Sequence, residues 1–173
     1  MEPIKMHRFY IFVLYLLAFS DTSARELTVG FGIDCRNPES VAISIKNPQG
    51  LEQRIPEAML PWNSPRLVRW VAYALRDGTS IKLKRIHVAG NYIRDAAIPE
   101  RGYLDGKINL AAMFLDFAEQ RRKSDIIVFF ELPKTEAKNG LKMIANTGFL
   151  FFPKRGIFTD SCPVLVQSPK KMG

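Results

Sequence analysis

Histidine and cysteine are nearly absent, with two of each among 173 residues, and only one histidine, His87, lies beyond residue 24. A zinc site usually draws several His or Cys ligands, so no metal centre is expected. No H-E-x-x-H, Walker A, G-x-G-x-x-G or G-x-S-x-G motif is present. Zincin, nucleotide-binding and lipase-like chemistries therefore have no signature, and no catalytic residue or cofactor is expected. His87 stands between Ile86 and Val88, the setting of a solvent-facing strand histidine before that of a general base. Repeats and low-complexity segments are also missing. At 47% hydrophobic and 24% charged, the composition excludes disordered, collagen-like and mucin-like classes.

Long apolar runs are scarce as well. Phe9 to Phe19 is an apolar run of eleven, short of the roughly 17–25 residues that span a bilayer. Lys5 and Arg8 precede it, and Ser20 to Ala24 follow, with Thr22 and Ala24 at the −3 and −1 positions of a cut after Ala24. This is the pattern of a secretory signal peptide, residues 1–24; an uncleaved anchor or a buried helix is the other reading. No cysteine sits just after the run, so a lipid anchor is not expected. Removal of the segment leaves 23 bases, 15 acids and the same net charge of +8. Outside the cell that charge favours acidic protein, anionic glycan or lipid head groups, and nucleic acid is not expected there. Lys82-Lys84-Arg85 and Arg121-Arg122-Lys123 are the tightest basic clusters, and both read as solvated faces.

In an oxidising compartment Cys35 and Cys162 read as one disulfide. It would close nearly the whole exported chain, for about 4–5 kcal/mol of chain entropy. Two unpaired buried thiols are the alternative.

The rest of the chain has strand periodicity. Leu27, Val29, Phe31 and Ile33 share one face of Glu26–Asp34, and Val41, Ile43 and Ile45 repeat the pattern before the turn signal at Asn47–Gly50. Leu51–Pro65 carries three prolines and predicts a connection with a short edge strand. Leu67–Leu75 is apolar on both faces and leads to Asp77-Gly78, a hairpin signal. Ile81–Val88 predicts a returning strand with a bulge near Lys84-Arg85, and Tyr92–Ile98 a further strand. Met113, Phe114 and Phe117 have helical spacing within Ala111–Gln120, a lid over one end of the core, and Arg121–Asp125 predicts a polar loop. Ile126–Leu132 is a continuous apolar run suited to a central strand, Lys134–Lys142 is polar, and Phe149–Phe152 is a last strand. The expected architecture is an all-β, immunoglobulin-like antiparallel sandwich with one short helical insert. It occupies residues 25–156, and a C-terminal tail follows at 157–173.

Leu60-Pro61-Trp62, Ile98 to Gly102 with Gly106 to Leu110 and Phe114, and Ile126 to Leu132 stand in that order. Over roughly Val41–Pro153 the chain resembles small exported bacterial proteins with an immunoglobulin-like β-sandwich, most of them functionally uncharacterised. Members tend to carry Pro-Gly in the turn and Trp in the penultimate strand, where this chain has Pro99-Glu100 and Phe130. The resemblance implies a fold and brings no catalytic residues.

Trp62 lies in a proline-flanked loop near Arg54 and Arg66, an arrangement that suits a partner-binding anchor, with a plug on the open end of the sandwich as the favoured reading. Asp95 with Glu100, or Asp105 with Asp116, are the carboxylate pairs on which a hydrolase would rest. The leading expectation is a non-enzymatic exported protein that recognises another protein through loops or a sheet edge, as an inhibitor, immunity protein or envelope accessory. A basic module for anionic glycan or envelope surface comes second, and a carboxylate-pair hydrolase third.

Overall fold

The computed structural model describes residues 26–33, 35–64, 67–86, 94–137, 140–155 and 162–169. In chain order the strands begin with β1 (Glu26–Ile33), β2 (Ser40–Lys46), β3 (Gln53–Pro56), β4 (Arg69–Arg76), β5 (Thr79–Lys82), β6 (Asp95–Ile98) and β7 (Tyr103–Asn109). Two short helices follow, α1 (Leu110–Met113) and α2 (Phe117–Lys123). The chain then forms β8 (Asp125–Leu132), β9 (Thr135–Glu136), β10 (Lys142–Met143), β11 (Asn146–Phe152) and β12 (Val164–Pro169).

Alternation in β1 and β2 buries Leu27, Val29, Phe31, Val41, Ile43 and Ile45 on one face, because successive side chains point to opposite sides of a strand. The strands pair antiparallel with Val29 opposite Ile45 and Phe31 opposite Ile43. With β7, β10 and β9 they form a first sheet in the order β7-β2-β1-β10-β9. The second sheet runs β12-β11-β8-β4-β5, and β3 pairs with β6 as a separate ribbon. The two sheets pack as a β-sandwich, confirming the all-β class. Asp77 and Gly78 close the β4–β5 hairpin with φ of +50° and +74°, the paired positive angles of a type I′ turn.

The inward faces meet at an aromatic cluster. Phe31 of the first sheet lies 4.2 Å from the Phe130 ring and 5.9 Å, edge-on, from Trp70. Gly148 leaves room for this packing: a Cβ there would sit 2.6 Å from Phe130 Cζ and 2.3 Å from the Val166 carbonyl oxygen. Along one side the sheets are tied directly. Beyond Leu27, β1 turns its edge to the second sheet, where Asn146 Nδ2 donates to the Val29 carbonyl (2.8 Å) and Gln167 Nε2 to that of Phe31 (3.3 Å). The Cys35–Cys162 disulfide, with Cα atoms 5.1 Å apart, continues this seam.

One end is organised by Asn47, which is fully buried. Its Nδ2 donates to the carbonyls of Leu51 (2.8 Å) and Pro99 (3.0 Å), and its Oδ1 accepts from the Gln49 amide (3.0 Å). The expected Asn47–Gly50 turn and the Pro99–Gly102 turn are thereby held together. In the second turn Arg101 adopts φ +49°, a left-handed conformation more natural to glycine.

Four sequence expectations are corrected. Val164–Pro169, placed in a tail from residue 157, is β12: Leu165 packs against the core and the strand pairs with β11 throughout. The helical insert is two helices, broken where Asp116 takes φ +59°. Arg121–Lys123 extends α2 instead of forming a loop, and Arg121 is buried rather than solvated, beneath the Phe152 ring and 3.8 Å from Glu39. The strand beginning at Ile81 ends at Lys82, because the chain turns so that Arg85 bridges to Phe114. Phe114 and Phe117 are buried beside Phe152, as a lid over the core requires.

Candidate functional site

The two sheets differ in what they show to solvent. On the first, the outward positions include Thr28, Gly30, Gly32, Ala42, Ser44, Lys46, Asp105 and Lys107, small or polar as a wet antiparallel face should be, with Tyr103 an exposed aromatic beneath Lys46. The second sheet breaks this rule. Its outward residues form two apolar rows set by strand register. Val71 stands opposite Phe129, Phe129 opposite Phe149 and Phe149 opposite Val166. The neighbouring row runs Tyr73, Ile127, Phe151 and Val164.

Phe129, Val164 and Val166 are about half exposed, at 45%, 55% and 46%. Their neighbours Val71, Tyr73, Ile127, Phe149 and Phe151 are half-buried. The Phe129 ring lies 6.1 Å from Phe149 at 50° and 6.3 Å from Tyr73 at 78°. A shallow concavity of about 440 Å³ opens over Val71, Phe129, Thr147 and Phe149, bounded by the exposed Arg69–Glu131 pair at 3.8 Å. Lys82 lies on the same face, opposite Tyr73. Asp125 bounds the other end, where its Oδ1 accepts from the Lys154 amide.

This surface follows from the two apolar segments in the sequence. Leu67–Leu75 and Ile126–Leu132 supply most of β4 and β8, whose even-numbered residues from Trp70 to Ala74 and Ile126 to Leu132 fill the core, while Val71, Tyr73, Ile127 and Phe129 repeat the apolar character outside. Apolar patches of this kind mark interaction sites on soluble domains.

The residues singled out from the sequence lie elsewhere. Trp62 turns inward and stacks on Gly106 of β7, where a Cβ would lie 2.0 Å from its Cδ2. It is half-buried and packs against the core. Arg54 is exposed on β3 beside Glu52 (3.4 Å). Arg66 and His87 lie outside the described residues. Among the carboxylates, Asp95 opens the extended β6 and Glu100 lies beyond its end, Asp105 points outward from β7, and Asp116 precedes α2. Three extended steps of β6 alone span about 10 Å, with Glu100 two residues further on. No cluster of metal-ligating groups occurs among the described residues. Arg85 has its guanidinium pKa lowered by burial. Glu119 is held below the usual carboxylate range by the hydrogen bond and charge of Lys123.

The disulfide fits an oxidising, exported environment. Among the described residues, no helix is long and apolar enough to cross a membrane. Comparisons with protein-family models, curated proteins and solved structures gave no match.

Proposed function

We propose that this chain is an exported, non-enzymatic binding protein that docks another protein on the outer face of its second sheet. The observation that carries the reading is the pair of apolar rows centred on Phe129 and Phe149. An apolar centre with a polar rim is the anatomy of a protein interface. The rings there are tilted by 50° and 78°, which supports docking of irregular side chains over the coplanar stacking that a flat glycan would use. Export rests on the Met1–Ala24 pattern and is supported by the disulfide; the destination is the periplasm or the medium. The immunoglobulin-like likeness belongs to the same proposal and is supported by the two-sheet sandwich.

The test is affinity capture with the processed chain, residues 25–173, against envelope and culture fractions of the native host, eluted in a salt gradient. The expected result is one stoichiometric protein that survives high salt and is lost with Phe129→Glu. Recovery of anionic polymer alone, released at moderate salt, would replace this reading with the charge-driven surface module. A partner indifferent to Phe129→Glu but lost with Trp62→Ala or Arg54→Ala would move the site to the loops.

A further inference from the structure

Resting on that reading, we infer that the partner this face fits is a second copy of the chain, packed face to face. Three observations lead there. The first is area. The five strands hold four to eight residues each; at about 3.4 Å per residue and about 4.8 Å between strands they give a footprint of roughly 540 Å² before side-chain relief is counted. A standard interface uses roughly 800 Å² per partner.

The second is charge. The chain carries +8 overall, yet the two apolar rows themselves hold no charged residue, and Arg69 at their margin is paired with Glu131. An acidic partner gains little from an uncharged centre, and a like-charged copy meets no like charge at the middle of the contact.

The third is shape. The face is a twisted antiparallel sheet with apolar rows, and such sheets pack on one another in aligned layers about 10 Å apart. The same patch on both subunits is what a two-fold dimer requires. The first sheet's outer face has Gly30, Gly32, Ala42 and Ser44 at its centre and one exposed aromatic, Tyr103, and so carries no comparable apolar rows.

Sedimentation equilibrium of the processed, disulfide-bonded chain tests this over about 1–200 μM, the range in which a modest interface dissociates. A concentration-dependent dimer is expected, weakened about 100-fold or more by Phe129→Glu, which would bury a carboxylate in each apolar centre. Val166→Thr, a gentler change on the edge strand, is expected to weaken it about tenfold, since the loss is counted twice across a two-fold axis. Lys107→Glu on the first sheet should not weaken it. Added salt should tighten the dimer by screening the repulsion between two +8 subunits.

A monomer throughout, a dimer indifferent to both face variants, or a dimer dissolved by salt would overturn the inference. Its failure is distinct from that of the docking reading. A monomer whose salt-resistant partner is lost with Phe129→Glu removes the dimer alone; a dimer whose captured partner ignores Phe129→Glu removes the docking reading alone.

Discussion

Trp62 and Gly106 form a packing pair whose energetics separate a plug from a binding anchor. A Cβ at position 106 would meet Trp62 Cδ2, Cε2 and Cε3 at 2.0, 2.4 and 2.5 Å, distances no real contact reaches, so Gly106→Ala must expel the ring. Gly106 is not among the positive-φ residues of the chain. Alanine is therefore acceptable to the backbone there, and with the indole absent it should be neutral or stabilising by about 0.4–1 kcal/mol. Trp→Ala in a full core costs about 3–5 kcal/mol; for the half-buried Trp62 we expect about 2–3 kcal/mol. Gly106→Ala alone should cost a similar amount, because it displaces the same contacts.

The double variant should then cost no more than Trp62→Ala, a coupling of about 2 kcal/mol or more where distant sites would add within about 0.5 kcal/mol. Urea unfolding of residues 25–173 measures all four corners, with the buried Trp70 as the fluorescent reporter that remains. Additive costs would refute the packing argument. A Trp62→Ala cost below about 0.5 kcal/mol, accompanied by loss of partner capture, would make Trp62 an anchor after all.

Reduction of Cys35–Cys162 should lower stability by up to about 5 kcal/mol, since the bridge spans 127 residues of sequence; paired denaturation curves with and without reductant check this. Asn47→Ala should cost about 2–4 kcal/mol, because two donated bonds and one accepted bond are lost in a buried setting. A shift in thermal midpoint too small to resolve would show that water substitutes for the side chain. Arg101→Gly should stabilise the fold by a few tenths to about 1 kcal/mol by relieving the left-handed backbone, visible as a higher urea midpoint at unchanged slope.

The sandwich was legible because alternation is a local signal. Val29, Phe31, Ile43 and Ile45 each announce an inward face, and Asp77-Gly78 announces a hairpin whatever surrounds it. Arg121 was not legible: its neighbours Arg122 and Lys123 are solvated, and the tertiary placement of Glu39 and Phe152 makes a buried guanidinium acceptable at the first of the three. β12 escaped notice because a short segment after a proline has too few residues to show a period, and its strand state depends on β11 beside it. The apolar face did leave a trace. Two strands apolar on both sides need covers on both sides, and among the described residues the helices, of four and seven residues, are too short to supply the second; a continuous apolar run by itself fits a central strand equally well. Trp62 shows the reverse case: its loop context admitted an anchor beside the favoured plug, and the glycine that makes the plug fit lies 44 positions away in sequence.

The seam between β1 and β12 bears on when the fold can form. Gln167 reaches Phe31 and Cys162 reaches Cys35 only after every intervening residue is present, so these contacts carry some of the largest loop-closure entropies in the molecule. The edge of β1 beyond Leu27 stays open in any shorter nascent chain. That ordering delays final consolidation until the whole chain is available, and the disulfide, which fits an oxidising environment, then locks the closed seam.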